Sequence, residues 1–81
     1  MTHAHKIFIR TKKEDSAFVY HVFEAHEGLV SVSTLPHQPH DPFRDLELLV
    51  TVELKADLEA ILEDLSEIVS ILPEAPVKNV T

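Results

Sequence analysis

From Asp45 to Leu54 the chain alternates in period two: Leu46, Leu48, Val50, Val52 and Leu54 fall on one side, and Asp45, Glu47, Leu49, Thr51 and Glu53 on the other. That period belongs to a strand with one buried and one largely wet face. Lys6-Ile7-Phe8-Ile9-Arg10 repeats the pattern in a shorter form, with Ile7 and Ile9 on one face and Lys6, Phe8 and Arg10 on the other. A third strand is predicted from Leu29 to about Leu35, where β-branched and hydroxyl residues suit a pleated surface. Two other stretches carry the helical period. From Asp15 onward, Phe18, Val19, Val22 and Ala25 gather on one side, with Phe23 at the margin and Tyr20, His21, Glu24 and Glu27 opposite or flanking. Asp15 or Ser16 is the expected cap of this helix. From about Ala56 to Leu72, Leu58, Ile61, Leu62, Leu65, Ile68, Val69 and Leu72 form a single stripe, and Pro73 is the expected stop.

The punctuation between these elements is sparse. Gly28 is the only glycine in the 81 residues, and it stands where the first helix must turn into a strand. A C′ glycine accepts the left-handed backbone such a turn needs, so Gly28 is the predicted structural hinge. Residues 35–44, Leu35-Pro36-His37-Gln38-Pro39-His40-Asp41-Pro42-Phe43-Arg44, form a stiff Pro/His-rich loop. Residues 1–5 are expected to fray, and residues 73–81 to form a tail or a short edge strand at Val77–Thr81.

The predicted order is β-α-β-β-α, closing with a possible last β. Two helices with single apolar stripes need one sheet face to cover. The compact solution is one α+β domain over residues 1–81, a ferredoxin-like two-layer sandwich with both helices on one face of an antiparallel sheet. The other face would expose Phe8, Leu49 and one of Leu29 or Val30, so a homodimer formed across it, or along an open sheet edge, is expected.

Composition narrows the function classes. A chain this short buries a modest core, which makes self-association a natural supplement. With no cysteine, disulfides and thiolate metal ligands are excluded. Net charge is −7, yet residues 1–13 carry Lys6, Arg10, Lys12 and Lys13 and no acid, so the body is strongly acidic. An acidic body argues against nucleic acid as the main partner. No apolar run reaches the ~18 residues of a membrane span. Met1 to Lys13 lacks the apolar core of a secretory signal, so a cytoplasmic location is expected.

The hinge Glu24-Ala25-His26-Glu27-Gly28-Leu29, followed by a Val/Ser/Thr strand, a loop, a Leu/Val strand and an acidic Leu-rich helix, resembles a family of small bacterial domains with no assigned activity. In that family the helix likewise closes on Glu-Gly-Leu. More distantly, the topology is similar to ACT-type regulatory domains, over roughly residues 6–72. That second resemblance implies amino-acid binding at a glycine-containing turn between the first strand and helix. Here the corresponding turn, Thr11-Lys12-Lys13-Glu14-Asp15-Ser16, has no glycine.

Several residues are candidates for chemistry. His37, His40 and Asp41 place two imidazoles and a carboxylate within one loop, a donor set for zinc, nickel or copper, with His3 or His5 as further candidates from the arm. The competing account is a set of solvated loop residues. Arg10, Lys12 and Lys13 precede the first helix and are a candidate anion site, although Glu14 and Asp15 already occupy that helix end. His26 falls on the apolar stripe and is expected to pack, whereas His21 points away from it. Pro36, Pro39 and Pro42 keep polyproline spacing, which makes the Pro36–Pro42 loop a candidate docking segment for a protein partner. No serine carries a nucleophile motif, and no phosphate loop or dinucleotide fingerprint occurs. The expectation is therefore a non-enzymatic ACT-like module without a cofactor, acting by self-association and by small-ligand or protein binding. The alternative is a metal-binding protein built on His37, His40 and Asp41.

Overall fold

The computed structural model describes residues 4–26 and 28–73. β1 (Ala4–Lys12) runs through a 3-10 turn, Lys13–Asp15, into α1 (Ser16–Ala25). β2 (Val30–Thr34) and β3 (Phe43–Thr51) follow, then a second 3-10 turn at Val52–Leu54, α2 (Lys55–Asp64) and β4 (Val69–Ile71). The strands form one four-stranded sheet in the order β2-β3-β1-β4, and each neighbouring pair is antiparallel. The fold class is α+β, an antiparallel sheet with two helices.

Alternation along β1 and β3 sorts the two sheet faces. In register, Ile7 opposes Leu48, Ile9 opposes Leu46 and Val50 opposes Val30. These residues form one core with Val19 and Phe23 of α1 and Leu58 and Leu62 of α2. A single core shared by both helices places both on this inner face. The outer face carries Lys6, Phe8, Arg10 and Lys12 from β1 against Leu49, Glu47, Asp45 and Phe43 from β3.

Gly28 has φ +92°, the left-handed backbone that favours glycine, two residues past the C-cap His26 rather than directly after it. The Leu29 amide closes the turn on the His26 carbonyl at 2.9 Å. Glu27, at the centre of the expected hinge, lies outside the described residues.

Several expectations need correction. The second helix stops at Asp64 instead of Leu72, and Val69–Ile71 becomes β4 on the open edge of β1. The stripe Leu65, Ile68, Val69 and Leu72 satisfies helical spacing, but residues 65–68 are a turn that anchors apolar side chains while reversing the chain. The exposed amides and carbonyls of β1 supply ladder partners that a longer helix would leave unused. The Leu72 amide bonds to the Phe8 carbonyl at 2.8 Å, and the Thr11 hydroxyl donates to the Ile68 carbonyl at 2.8 Å. The edge strand expected at Val77–Thr81 lies outside the described residues.

The buried face of α1 is also rotated from the expected one. Val19 and Phe23 are fully buried, whereas Phe18 is 57% exposed and Ala25 and His26 are exposed. Tyr20 turns to the core and donates to the Val32 carbonyl at 3.3 Å. Position on a helical wheel fixes which residues share a face, but the docking angle of the helix decides which face is covered. At the start of α1, neither Asp15 nor Ser16 caps: the Ser16 hydroxyl donates backwards to the Lys13 carbonyl at 2.8 Å, and the 3-10 turn takes over the entry. Finally, β3 ends at Thr51, so Val52 and Leu54 belong to a 3-10 turn and Val52 is exposed. Of Leu29 and Val30, neither joins the outer face: Val30 is core, and Leu29 packs against it from the turn.

Candidate functional site

The outer sheet face is built by the same alternation that builds the core. Leu48 is fully buried beneath the helices, so Leu49 must point the other way, where it is 37% exposed. Phe8 is half-buried on the neighbouring strand, and Phe43, at the start of β3, is 45% exposed. Neither helix packs on this side. The face also has a charge order: its β1 residues include Lys6, Arg10 and Lys12, and its β3 residues include Asp45 and Glu47.

Arg10 and Asp45 lock the middle of this face. Arg10 Nε donates to Asp45 Oδ1 at 2.7 Å, and Nη2 donates to Oδ2 at 3.0 Å, a two-point fork between register partners. The hydrogen bond to Asp45 holds the Arg10 guanidinium above its already high ordinary pKa, with the Coulombic attraction adding to it and burial opposing. The guanidinium carbon also lies 5.8 Å from the centroid of the Phe43 ring, within cation–π range.

This pairing affects the proposed anion cluster. Arg10 is spent on Asp45, and Lys13 Nζ donates to the Pro39 carbonyl at 3.2 Å. Lys12 remains exposed at the end of β1. The three cations do not converge on one point before α1: Arg10 and Lys12 belong to the outer sheet face, while Lys13 ties the 3-10 turn to the proline loop.

In that loop, Gln38 to Asp41 form a tight turn. The Asp41 amide donates to the Gln38 carbonyl at 3.1 Å, and the Gln38 amide donates to Asp41 Oδ2 at 2.9 Å. His37 is exposed, with Nδ1 3.2 Å from the Leu35 carbonyl, and His40 is exposed. Among the described residues, no group of three His, Cys, Asp or Glu side chains is arranged to hold a metal ion. His3 lies outside the described residues, and His5 is exposed on β1. The Pro36–Pro42 loop is tied to the sheet by the Leu35 amide on the Asp45 carbonyl, at 2.9 Å, and by the Lys13 amide on the Pro42 carbonyl, at 2.8 Å.

Arg44 is expected in the loop. It is instead the second residue of β3, directed inward and only 9% exposed. The signal was present: Arg44 has the parity of Leu46, Leu48 and Val50, and a strand begun two residues earlier includes it on the inner face. Among the described residues, no helix is long and apolar enough to cross a membrane. No family model, curated protein or solved structure matches this chain.

Proposed function

We propose that the chain is a ferredoxin-like, non-enzymatic module that works by pairing with a second copy of itself through the outer sheet face. The fold assignment is supported by the strand order, read as β4-β1-β3-β2 with antiparallel neighbours and both helices on one side. The observation that carries the pairing is the exposure of Leu49 on a sheet face that neither helix covers. Half-buried Phe8 beside it extends the apolar strip, and a small core gains from covering such a strip.

The charge order favours a like partner. A two-fold axis along the strands, midway between β1 and β3, sets β1 of one copy above β3 of the other, at the ~10 Å spacing of stacked sheets. That axis sets Arg10 of each copy over Asp45 of the other, twice over, with Lys6 over Leu49 and Phe8 over Glu47. An isologous contact of this kind needs no third component. A regulatory or scaffolding role follows from the resemblance of the helix–strand hinge and topology to ACT-type domains.

Native mass spectrometry and sedimentation equilibrium test the proposal. The untagged chain is expected at twice its monomer mass at micromolar concentration, and Leu49→Lys at the monomer mass with its circular dichroism unchanged. A wild-type chain that stays monomeric well above that concentration overturns it.

A further inference from the structure

At the end of the sheet where β1 leaves for α1 and β2 leaves for the proline loop, there is a cavity of about 280 Å³. Its walls include Ser16, Ala17 and Tyr20 of α1, Thr34 at the end of β2, His37 and Arg44. Arg44 opposes Thr11 in the β1–β3 register and so starts on the helix-covered face, where the residue is 9% exposed. Its Nη1 donates to the carbonyls of Asp41 and Phe43, both at 2.9 Å. Two backbone carbonyls hold that arm of the guanidinium but do not neutralise it. Among the described residues, Nε and Nη2 make no hydrogen bond, and no carboxylate forms an ion pair with Arg44. Nor is any fully enclosed side-chain nitrogen or oxygen among these residues left without a partner, so Nε and Nη2 keep an opening instead of being sealed in apolar packing.

An arginine nine-tenths buried with no ion-pair partner among the described residues is costly, and fixed donors in a partly dry setting bind anions more strongly than the same donors in water. The first turn of α1 lies on the same cavity. The 3-10 turn Lys13–Asp15 runs straight into that helix, with the Ser16 amide bonded to the Lys13 carbonyl, so Ser16, Ala17 and Tyr20 present the helix flank to the cavity. The hydroxyls of Ser16 and Thr34 add polar partners on the same walls.

We propose that this cavity binds a small oxyanion, a carboxylate or a phosphate, gripped by the Nε and Nη2 edge of Arg44 against the start of α1. The planar edge matches two oxygens of either group. A volume near 280 Å³ exceeds that of the bare anion, so the ligand has room for a short organic body against Tyr20. The site lies on the helix side of the sheet and is independent of pairing through the outer face.

The test is an amide-resolved NMR titration of the full chain with inorganic phosphate and, separately, with succinate. Ionic strength is held constant with sodium chloride, and chloride alone serves as the blank. At least one of the two anions should give saturable shifts centred on Ser16, Ala17 and Thr34, and which one does so identifies the preferred head group. Arg44→Lys keeps the charge but loses the fork, and should weaken binding about tenfold or more. Should that variant fail to fold, Ala17→Glu decides: it places a carboxylate from an exposed helical position on the cavity wall and should abolish saturation in a folded chain. The proposal is overturned if neither anion saturates beyond the chloride blank, if the shifts centre on Lys12 and Lys13, or if folded Ala17→Glu binds as the wild type does.

Discussion

Arg10 and Asp45 oppose each other across β1 and β3 and close a fork of 2.7 and 3.0 Å, yet the two sides are unequally covered: the Arg10 side chain is 43% exposed and that of Asp45 only 5%. Removing Arg10 strands a carboxylate that water reaches poorly, while removing the charge of Asp45 leaves a guanidinium that water can solvate. Arg10→Met should therefore cost about 2 kcal/mol and Asp45→Asn less than about 1 kcal/mol. Urea midpoints of the two variants check the asymmetry, and equal losses would contradict it.

The same pair sets a pH expectation. The folded-state pKa of Arg10 is raised, so its contribution is fully present below the unfolded value and is lost only as pH rises past the folded one, far into alkali. The stability gap between wild type and Arg10→Met should therefore stay flat between about pH 6 and 9, measured by urea unfolding at several pH values.

Leu48 and Leu49 are chain neighbours on opposite faces. Leu48→Ala opens a cavity in the core and should cost about 2–5 kcal/mol. Leu49→Ala should change monomer stability by less than about 0.5 kcal/mol while weakening self-association. Urea unfolding of dilute protein separates the first effect from the second, which sedimentation equilibrium reads.

Gly28 sits at φ +92°, and a Cβ built there meets no atom within 4 Å. Any penalty for Gly28→Ala is therefore backbone strain rather than collision. It should destabilise the chain by about 1–2 kcal/mol, with Gly28→Asn intermediate, as measured by thermal or urea unfolding.

Thr11 is 2% exposed and ties β1 to the turn before β4 through the Ile68 carbonyl. Thr11→Val keeps the shape but removes the donor, and should cost about 1–2 kcal/mol. Hydrogen exchange should show the loss first at the Leu72 amide, which bonds to the Phe8 carbonyl of β1, before the β1–β3 ladder opens. Uniform acceleration across the sheet would argue against a local tie.

By itself the sequence determined what period and chain chemistry can express. The two faces of β1 and β3 follow from alternation, so Ile7, Ile9, Leu46, Leu48 and Val50 are core, and Phe8 and Leu49 face outward. The turn at Gly28 follows from the only residue that takes positive φ without penalty. Tertiary structure decided wherever two local patterns were equally satisfied. Leu65, Ile68, Val69 and Leu72 fit a helix, but the unpaired edge of β1, more than fifty residues away in the chain, offered hydrogen bonds that made Val69–Ile71 a strand. Val19 and Phe23, rather than Phe18 and Ala25, became the buried side of α1 because the docking angle over the sheet chose between adjoining stripes. The Arg10–Asp45 fork and the inward Arg44 depend on strand register and on where β3 begins, and both are set by non-local pairing that no window of local sequence contains.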